Sequence, residues 1–161
     1  MKWVTRARPK TDRIACPWLI SRFIDPDAEI LYVPADQVLS AADQHGGHSF
    51  DAPGARYTHQ PSPDGTGEWC TFETLIGAHD LGGHPALLRL ARIVHAADVA
   101  ADLNTDPLAP GLLAIGIGGL DVEPDDQTLL EHGMFIYDAL YAWCARQVVP
   151  TPQRCTERTP R

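Results

Sequence analysis

The segment MKWVTRARPKTDRIACPWLISRFID, residues 1–25, contains a short strand pattern followed by an apolar helix pattern. Residues 2–6, KWVTR, have the Trp, Val and Thr content of a β-strand, and Pro9 ends regular pairing. Residues 14–24 carry apolar side chains at mixed spacings of three and four, which is typical of a largely buried helix. The opening of the chain therefore predicts one strand that leads into one buried helix.

The start of this helix is complicated by a proline. Thr11 is a candidate N-cap, since a threonine hydroxyl can accept a free backbone N–H of the first turn. A helix that begins there contains Pro17 beyond its first turn, and Pro17 cannot donate to the carbonyl of Arg13. The sequence therefore predicts either a kink or a later start of the helix.

The same segment concentrates positive charge in a chain whose formal net charge is −8. Against the single acid Asp12, its first 22 residues hold Lys2, Arg6, Arg8, Lys10, Arg13 and Arg22. These cations can serve in two ways: as counter-charges for acids elsewhere in the domain, or as one wall of an anion site.

Composition limits the class of protein. A chain of 161 residues with 44% hydrophobic and 21% charged residues is typical of one globular domain. Apolar runs such as residues 111–120 reach about half of the roughly 20 residues that a membrane-spanning helix needs. The N-terminal segment also lacks the apolar region of a signal peptide. We therefore expect a cytoplasmic protein without a membrane partner.

Cysteine spacing and net charge indicate the redox state of the thiols and the kinds of ligand that the chain is not expected to bind. The four cysteines are widely spaced and form no CxxC pair, which favours reduced thiols. An isoelectric point of about 5.2 argues against nonspecific nucleic-acid binding by this chain. No glycine-rich phosphate-binding motif is present in the sequence, so no nucleotide cofactor is indicated.

Periodicity along the rest of the chain predicts a mostly helical α+β single domain, with a small β-sheet formed mainly by the N-terminal half. The predicted strands lie at residues 29–33, 48–51 and 56–59. The predicted helices lie at residues 35–44, from 71, 85–101 and 124–145. Residues 112–117 fit either a buried helix or a strand. We expect the domain to span residues 1–146 and residues 147–161 to form a mobile tail.

Histidines and carboxylates recur at helical spacing in three places. His95 and Asp98 are three residues apart beside an apolar stripe, and Glu73 lies on another predicted helix start. Two imidazoles with several carboxylates suit one divalent transition metal such as iron, manganese or zinc. The predicted ligand set is His59, Glu73, His95, Asp98, Glu131 and Asp138. The alternative is structural, with His95 and Asp98 as a hydrogen-bonded pair and the last two acids half exposed.

Cys16 lies close to Lys10 and Arg13, and a thiol near positive charge ionises more easily. We therefore consider it a candidate redox thiol. The competing interpretation is that a cysteine within IACPWLI is a small buried apolar group.

Three stretches together resemble the chromate-resistance protein family, and specifically the domain that forms the C-terminal part of ChrB-type proteins. They are TRARPKTDRIACPWLISRFID, EILYVPAD and LEHGMFIYDALYAWC, and the similarity extends over about residues 2–146. The resemblance implies a role linked to chromate, a tetrahedral dianion that basic side chains can bind. The residues that supply this chemistry here are Arg6, Arg8, Lys10 and Arg13. Cys16 beside them can act as a sensor thiol.

Two functions are therefore expected from the sequence. The first is a chromate-resistance or stress-response domain that binds a metal ion or a small anion such as chromate and senses it. The second is a metal-dependent enzyme of redox detoxification or hydrolysis. In longer members of the family another region precedes this domain, so we do not expect DNA binding by this chain alone. A homo-oligomer is compatible with either function.

Overall fold

Strand β1 (Lys2–Arg6) lies at the centre of a three-stranded parallel sheet in the computed structural model, which describes residues 1–149. Its register with β2 (Glu29–Val33) runs from Lys2 opposite Glu29 to Arg6 opposite Val33. On its other side β1 pairs with β3 (His48–Ser49). Because all three strands are parallel, their carboxyl ends meet at one edge of the sheet.

Helices make up most of the remaining chain. They are α1 (Asp12–Leu19), α2 (Val38–His45), α3 (Thr71–Ala78), α4 (Pro85–Asp98), α5 (Ala109–Val122) and α6 (Asp126–Val148). A short antiparallel hairpin is formed by β4 (Gln60–Pro61) and β5 (Glu68–Trp69). Single turns of tighter helix occupy Ala35–Gln37 and Leu81–Gly83, and a longer one occupies Ala100–Thr105. The predicted mostly helical α+β fold is confirmed.

Pro17 lies inside α1, so the helix does not begin late. The carbonyl of Arg13, which Pro17 leaves without a helical donor, accepts a hydrogen bond from the hydroxyl of Tyr32 at 2.7 Å. The helix continues as a wider π-helical turn over Ile20–Ile24. A side chain from β2 therefore compensates for the proline, and α1 is tied to the sheet at this point. Thr11 occupies the N-cap position, but its side chain makes no capping hydrogen bond.

The core is divided by the sheet. One face carries Trp3, and the large cluster on that side includes Trp18, Phe72 and Leu90. The other face carries Val4, which packs with Val38 of α2 and three small alanines. The apolar stripe that the sequence places beside His95 and Asp98 faces inward, because the buried side chains of α4 include Leu87, Leu90, Val94 and Ala97.

Several predicted boundaries differ from the observed ones. Residues 112–117 belong to α5, which settles the choice between helix and strand. The predicted strand at residues 56–59 is reduced to an isolated bridge between Phe50 and Tyr57. Helix α6 is capped by Asp125, whose carboxylate accepts the N–H of Thr128, and it ends at Val148. The first two residues of the predicted tail are therefore helical, and residues 150–161 lie outside the described residues.

None of the helices within residues 1–149 has the length and apolar character needed to cross a membrane.

Candidate functional site

Asp12, the first residue of α1, has a side chain that is 0% exposed. Its Oδ2 accepts the backbone N–H of Thr71 at 2.7 Å and that of Phe72 at 3.3 Å, at the N-terminus of α3. Its Oδ1 is also buried and has no hydrogen-bond partner among residues 1–149. A buried carboxylate oxygen without a donor is costly, so Asp12 has capacity for a proton or a cation.

His59 and Asp98 lie close to the carboxylate of Asp12. The Nε2 atom of His59 is 3.0 Å from Oδ2 of Asp98 and 3.8 Å from Oδ2 of Asp12. One ligand atom from each of the three residues falls within 4.8 Å of the others. On the far side of the imidazole, Nδ1 is 3.4 Å from Oε1 of Glu68 on β5. A carboxylate on that side of the ring would favour Nε2 as the ligating atom if His59 held a metal.

Asp51 adds a third carboxylate at the border of this group. Its Oδ1 accepts the hydroxyl hydrogen of Thr71 at 2.9 Å and lies 3.9 Å from Nε2 of His59. Its Oδ2 accepts a hydrogen bond from Arg6 at 3.1 Å. The carboxylate of Asp51 therefore separates the histidine side of the site from an arginine side.

The parallel sheet explains why residues so distant in sequence meet here. Asp12 follows the loop after β1, and Asp51 follows β3 by two residues, so both lie at the carboxyl edge of the sheet. The backbone is strained at the same edge: φ is +56° at Arg8, +49° at Thr11 and +47° at Asp51. Non-glycine residues in such conformations tend to occur at functional sites, where surrounding contacts hold them.

Burial and mutual repulsion shift the acids toward their protonated forms. Burial raises the pKa of Asp12 well above its usual value, and the nearby carboxylates of Asp98 and Asp51 raise it further. Burial, followed by the charge of Asp51, also raises the pKa of Asp98, although His59 opposes this. A divalent cation between these groups would remove the repulsion.

The predicted basic residues divide between two locations. Arg6 donates from Nε to the carbonyl of Asp51 at 2.7 Å, and the Nε of Arg13 is 3.8 Å from Oδ2 of the same residue. The Nε–H of Arg13 is buried and has no hydrogen-bond acceptor in the described part of the chain. Burial and the neighbouring Arg6 lower the pKa of Arg13. Two predicted residues therefore border the acidic group, and one retains a free donor.

The other two basic residues face α5 and α6. Arg8 donates to the carboxylate of Asp126 and to three carbonyls, those of Leu120, Glu123 and Pro124. Lys10 lies against α5 near Gly116. The four predicted anion ligands therefore do not converge on one site. Arg8 instead neutralises the C-terminal end of α5 and the acid Asp126 at the start of α6.

Cys16 is fully buried in α1. Burial raises the pKa of its thiol well above the usual value, and the carboxylate of Asp12 raises it further. This shift is opposite to the one expected from the neighbouring cations in the sequence, of which Arg8 pairs with Asp126 and Arg13 lies near Asp51. Its redox role stays a prediction that this environment does not favour.

The predicted metal ligands also separate. His59 and Asp98 join Asp12, whereas Glu73 and His95 join Cys70 in a second cluster. Glu131 is an exposed residue of α6. Asp138 accepts two hydrogen bonds from Arg22, at 3.0 and 2.8 Å, and one from the indole of Trp18. These last two acids belong to neither cluster.

Sequence reasoning misses Asp12 and Asp51 as members of the site. In the sequence Asp12 is only the single acid of a basic segment, and Asp51 is only the end of a predicted strand. The signal that could find them is their position after two strands of one parallel sheet, where carboxyl ends gather polar groups. Recognising it requires the strand pairing, which the sequence does not display.

Comparison with known proteins assigns the chain to a family. Residues 3–144 match the family described as ChrB, C-terminal domain. The chain is also 34% identical, over 140 residues, to Protein ChrB of Cupriavidus metallidurans. That alignment covers 87% of this chain and 40% of the relative, so the chain spans well under half of the relative's length. No solved structure matches. The chain belongs to the family of the ChrB C-terminal domain.

Proposed function

We propose that this chain is a cytoplasmic chromate-resistance domain that binds one divalent transition metal through Asp12, His59 and Asp98. The observation that carries the proposal is the buried carboxylate of Asp12. Its Oδ1 has no donor within residues 1–149, and its Oδ2 lies 3.8 Å from the imidazole of His59, which in turn lies 3.0 Å from Asp98. Two oxygen donors and one nitrogen donor suit iron, manganese or zinc. The chromate connection follows from the family.

Charge balance supports a cation at this position. Three carboxylates, those of Asp12, Asp51 and Asp98, gather near two guanidinium groups, Arg6 and Arg13, which both contact Asp51. This leaves one negative charge in excess when His59 is neutral and the exposed Glu68 is not counted. Burying unpaired charge is expensive, so without a metal the group is expected to take up a proton. A divalent ion would change the excess to one positive charge and satisfy the free oxygen of Asp12.

The test of this proposal is direct metal binding. We expect His59→Gln and Asp98→Asn to weaken manganese affinity at least about 100-fold, since even outer-shell changes cost 10–100-fold. Isothermal titration of chelator-treated protein with manganese measures the affinity. Glu131→Gln is the matched control, because this acid is exposed on α6 and should leave the affinity unchanged. Equal affinity in all three variants would remove the proposal.

We further propose that the loaded site binds a small oxyanion such as chromate on the side of Arg13. Once a metal is bound, the excess positive charge and the free Nε–H of Arg13 favour an anion. Arg8 is not included, because its donors are already engaged with Asp126 and the end of α5.

Sulfate, a tetrahedral dianion that does not oxidise thiols, is a suitable probe. Arg13→Gln is expected to lower the sulfate affinity of the metal-loaded protein about tenfold or more, in line with the loss of a charged hydrogen bond. Arg22→Gln is the control, since Arg22 pairs with Asp138 away from the site. Binding is measured by titration of sulfate and then of chromate. If the two variants bind sulfate equally, Arg13 is not the anion ligand.

A metal-dependent enzyme is the second candidate function. It is favoured by the partial exposure of His59, 31% for its side chain, which would let solvent or substrate reach a metal held by only three protein ligands. Metal-dependent hydrolysis of a phosphate ester, or loss of chromate in the presence of an added thiol reductant, would support it if Asp98→Asn abolishes the turnover. A metal-loaded protein that binds anion without turnover supports the binding domain instead.

A further inference from the structure

A second group of potential metal ligands lies where α3 and α4 meet. The thiol of Cys70, the carboxylate of Glu73 and the imidazole of His95 each offer one atom, and these atoms lie within 4.8 Å of one another. None of the three belongs to the centre formed by Asp12, His59 and Asp98. The two groups are neighbours through Thr71 and α4, but their donor types differ.

Local structure fixes two of these side chains. Cys70 is the N-cap of α3 and Glu73 is its third residue, and they form a reciprocal capping box. Oε2 of Glu73 accepts the backbone N–H of Cys70 at 3.0 Å. The start of α3 therefore places a sulfur atom and a carboxylate next to each other. Both side chains are held by hydrogen bonds to backbone N–H groups of the capping box.

His95 completes the group from α4. Its Nδ1 atom is 2.7 Å from Oε2 of Glu73, and its Nε2 atom is 2.8 Å from Oδ2 of Asp102. The imidazole therefore presents Nδ1 to the glutamate, while the carboxylate of Asp102 holds its other nitrogen. This is the arrangement by which an outer carboxylate fixes the tautomer and orientation of a ligating histidine.

We propose that Cys70, Glu73 and His95 form a second metal site, with Asp102 as the positioning residue for His95. A set with one sulfur, one nitrogen and one oxygen donor suits zinc or another ion of similar softness, whereas the first centre has only oxygen and nitrogen donors. Binding replaces the thiol proton of Cys70 with a metal–sulfur bond, and the proton is released to solvent. The first centre is not required for this binding.

The site is accessible from outside. The side chain of Cys70 is buried, but those of Glu73 and His95 are 22% and 19% exposed. Glu73 and His95 line a cleft of about 470 Å³ that also contains Arg89 and Arg92. An ion can enter through this cleft, and three protein ligands leave a position open toward it. That position suits water, or a small anion near Arg92, since Arg89 is already paired with Asp106 in the same cleft.

Cobalt(II) is the probe that separates the two sites, because only a thiolate ligand produces a near-ultraviolet sulfur-to-cobalt charge-transfer band. Titration of chelator-treated wild-type protein with cobalt is expected to produce this band at saturation. Cys70→Ser is expected to abolish it, whereas Cys144→Ser, the same change in the buried cysteine of α6, is expected to retain it. A missing band in the wild-type protein, or a band that persists in Cys70→Ser, would overturn the proposal.

Two further variants decide the result if Cys70→Ser does not fold, as judged by circular dichroism. Glu73→Gln and His95→Gln keep the thiol, so each should weaken the cobalt affinity read from the charge-transfer band about tenfold or more; unchanged affinity in both would contradict the site. Asp98→Asn separates the two proposals. It should remove binding at the first centre and leave the band intact, so failure of either site is visible without the other.

Discussion

Gly133→Ala is expected to lower the free energy of unfolding by about 1–3 kcal/mol, the usual range for overpacking a close contact. Gly133 is buried on α6 where that helix crosses α1, and a Cβ atom at this position would collide with Cγ2 of Ile14. The methyl group of a β-branched side chain on a helix cannot rotate away freely. The two helices would have to separate.

Gly118→Ala is the matched control for this change. Gly118 lies within α5, and a Cβ atom there would meet no neighbouring atom of residues 1–149 within 4 Å. Alanine is a better helix former than glycine by about 1 kcal/mol, so the same substitution should stabilise the protein here. Urea denaturation of both variants measures the difference. Equal midpoints would show that α1 and α6 do not approach as closely as described.

A double-mutant cycle identifies the partner atom. Ile14→Ala alone should destabilise the core by about 2–5 kcal/mol. Combined with Gly133→Ala, it removes the methyl group that causes the collision, so the loss for the pair should be smaller than the sum of the single losses. Additive losses would indicate that the methyl group added at position 133 contacts something other than Ile14.

Two replacements of Asp12 are expected to change the stability of the metal-free protein in opposite directions. Asp12→Ala leaves the backbone N–H groups of Thr71 and Phe72 buried without an acceptor, which should cost about 2–4 kcal/mol of stability. Asp12→Asn keeps an oxygen for these donors and removes the charge that the buried acids repel. The asparagine variant should therefore be more stable than the metal-free wild type at neutral pH, yet lose at least about 100-fold in metal affinity.

The pH dependence of stability tests the reason for this result. The pKa of Asp12 is raised in the folded protein, so its contribution to stability is fully present below the unfolded value of about 3.9 and is lost as pH rises through the folded value. Metal-free wild-type protein should therefore lose stability relative to Asp12→Asn as the pH rises from about 4 toward neutrality. Thermal denaturation in the presence of chelator measures both proteins. A constant difference over this range would contradict the proposed repulsion.

Much of the fold could be predicted because local pattern and local chemistry agree. The β1 strand, the β2 strand, the inward stripe of α4 and the long final helix follow from apolar spacing, which depends only on near neighbours. Even the consequence of Pro17 could be predicted, since the loss of a donor to Arg13 is a covalent property of proline. That Tyr32 supplies the replacement donor could not, because it comes from another element.

The composition of the candidate site could be predicted only in part. Spacing identifies His59 and Asp98 as candidates, together with acids such as Glu131 and Asp138 that lie elsewhere. The spacing of residues along the sequence indicates which side chains share one helix face. It does not indicate which faces of different helices and strands pack together. For the same reason the basic segment forms one group in the sequence, although Arg8 and Arg13 point to different parts of the domain.

The fold class, the family and the kinds of ligand atom available follow from residue type and local order, and they could be predicted from the amino-acid sequence. The meeting of Asp12 with His59 and Asp98, the meeting of Cys70 with Glu73 and His95, and the raised pKa of the buried Cys16 emerge only from the packed structure. Desolvation and charge–charge interaction depend on distance in space, which local sequence does not specify. Parallel strand pairing and helix packing set those distances between residues as far apart as positions 12 and 98.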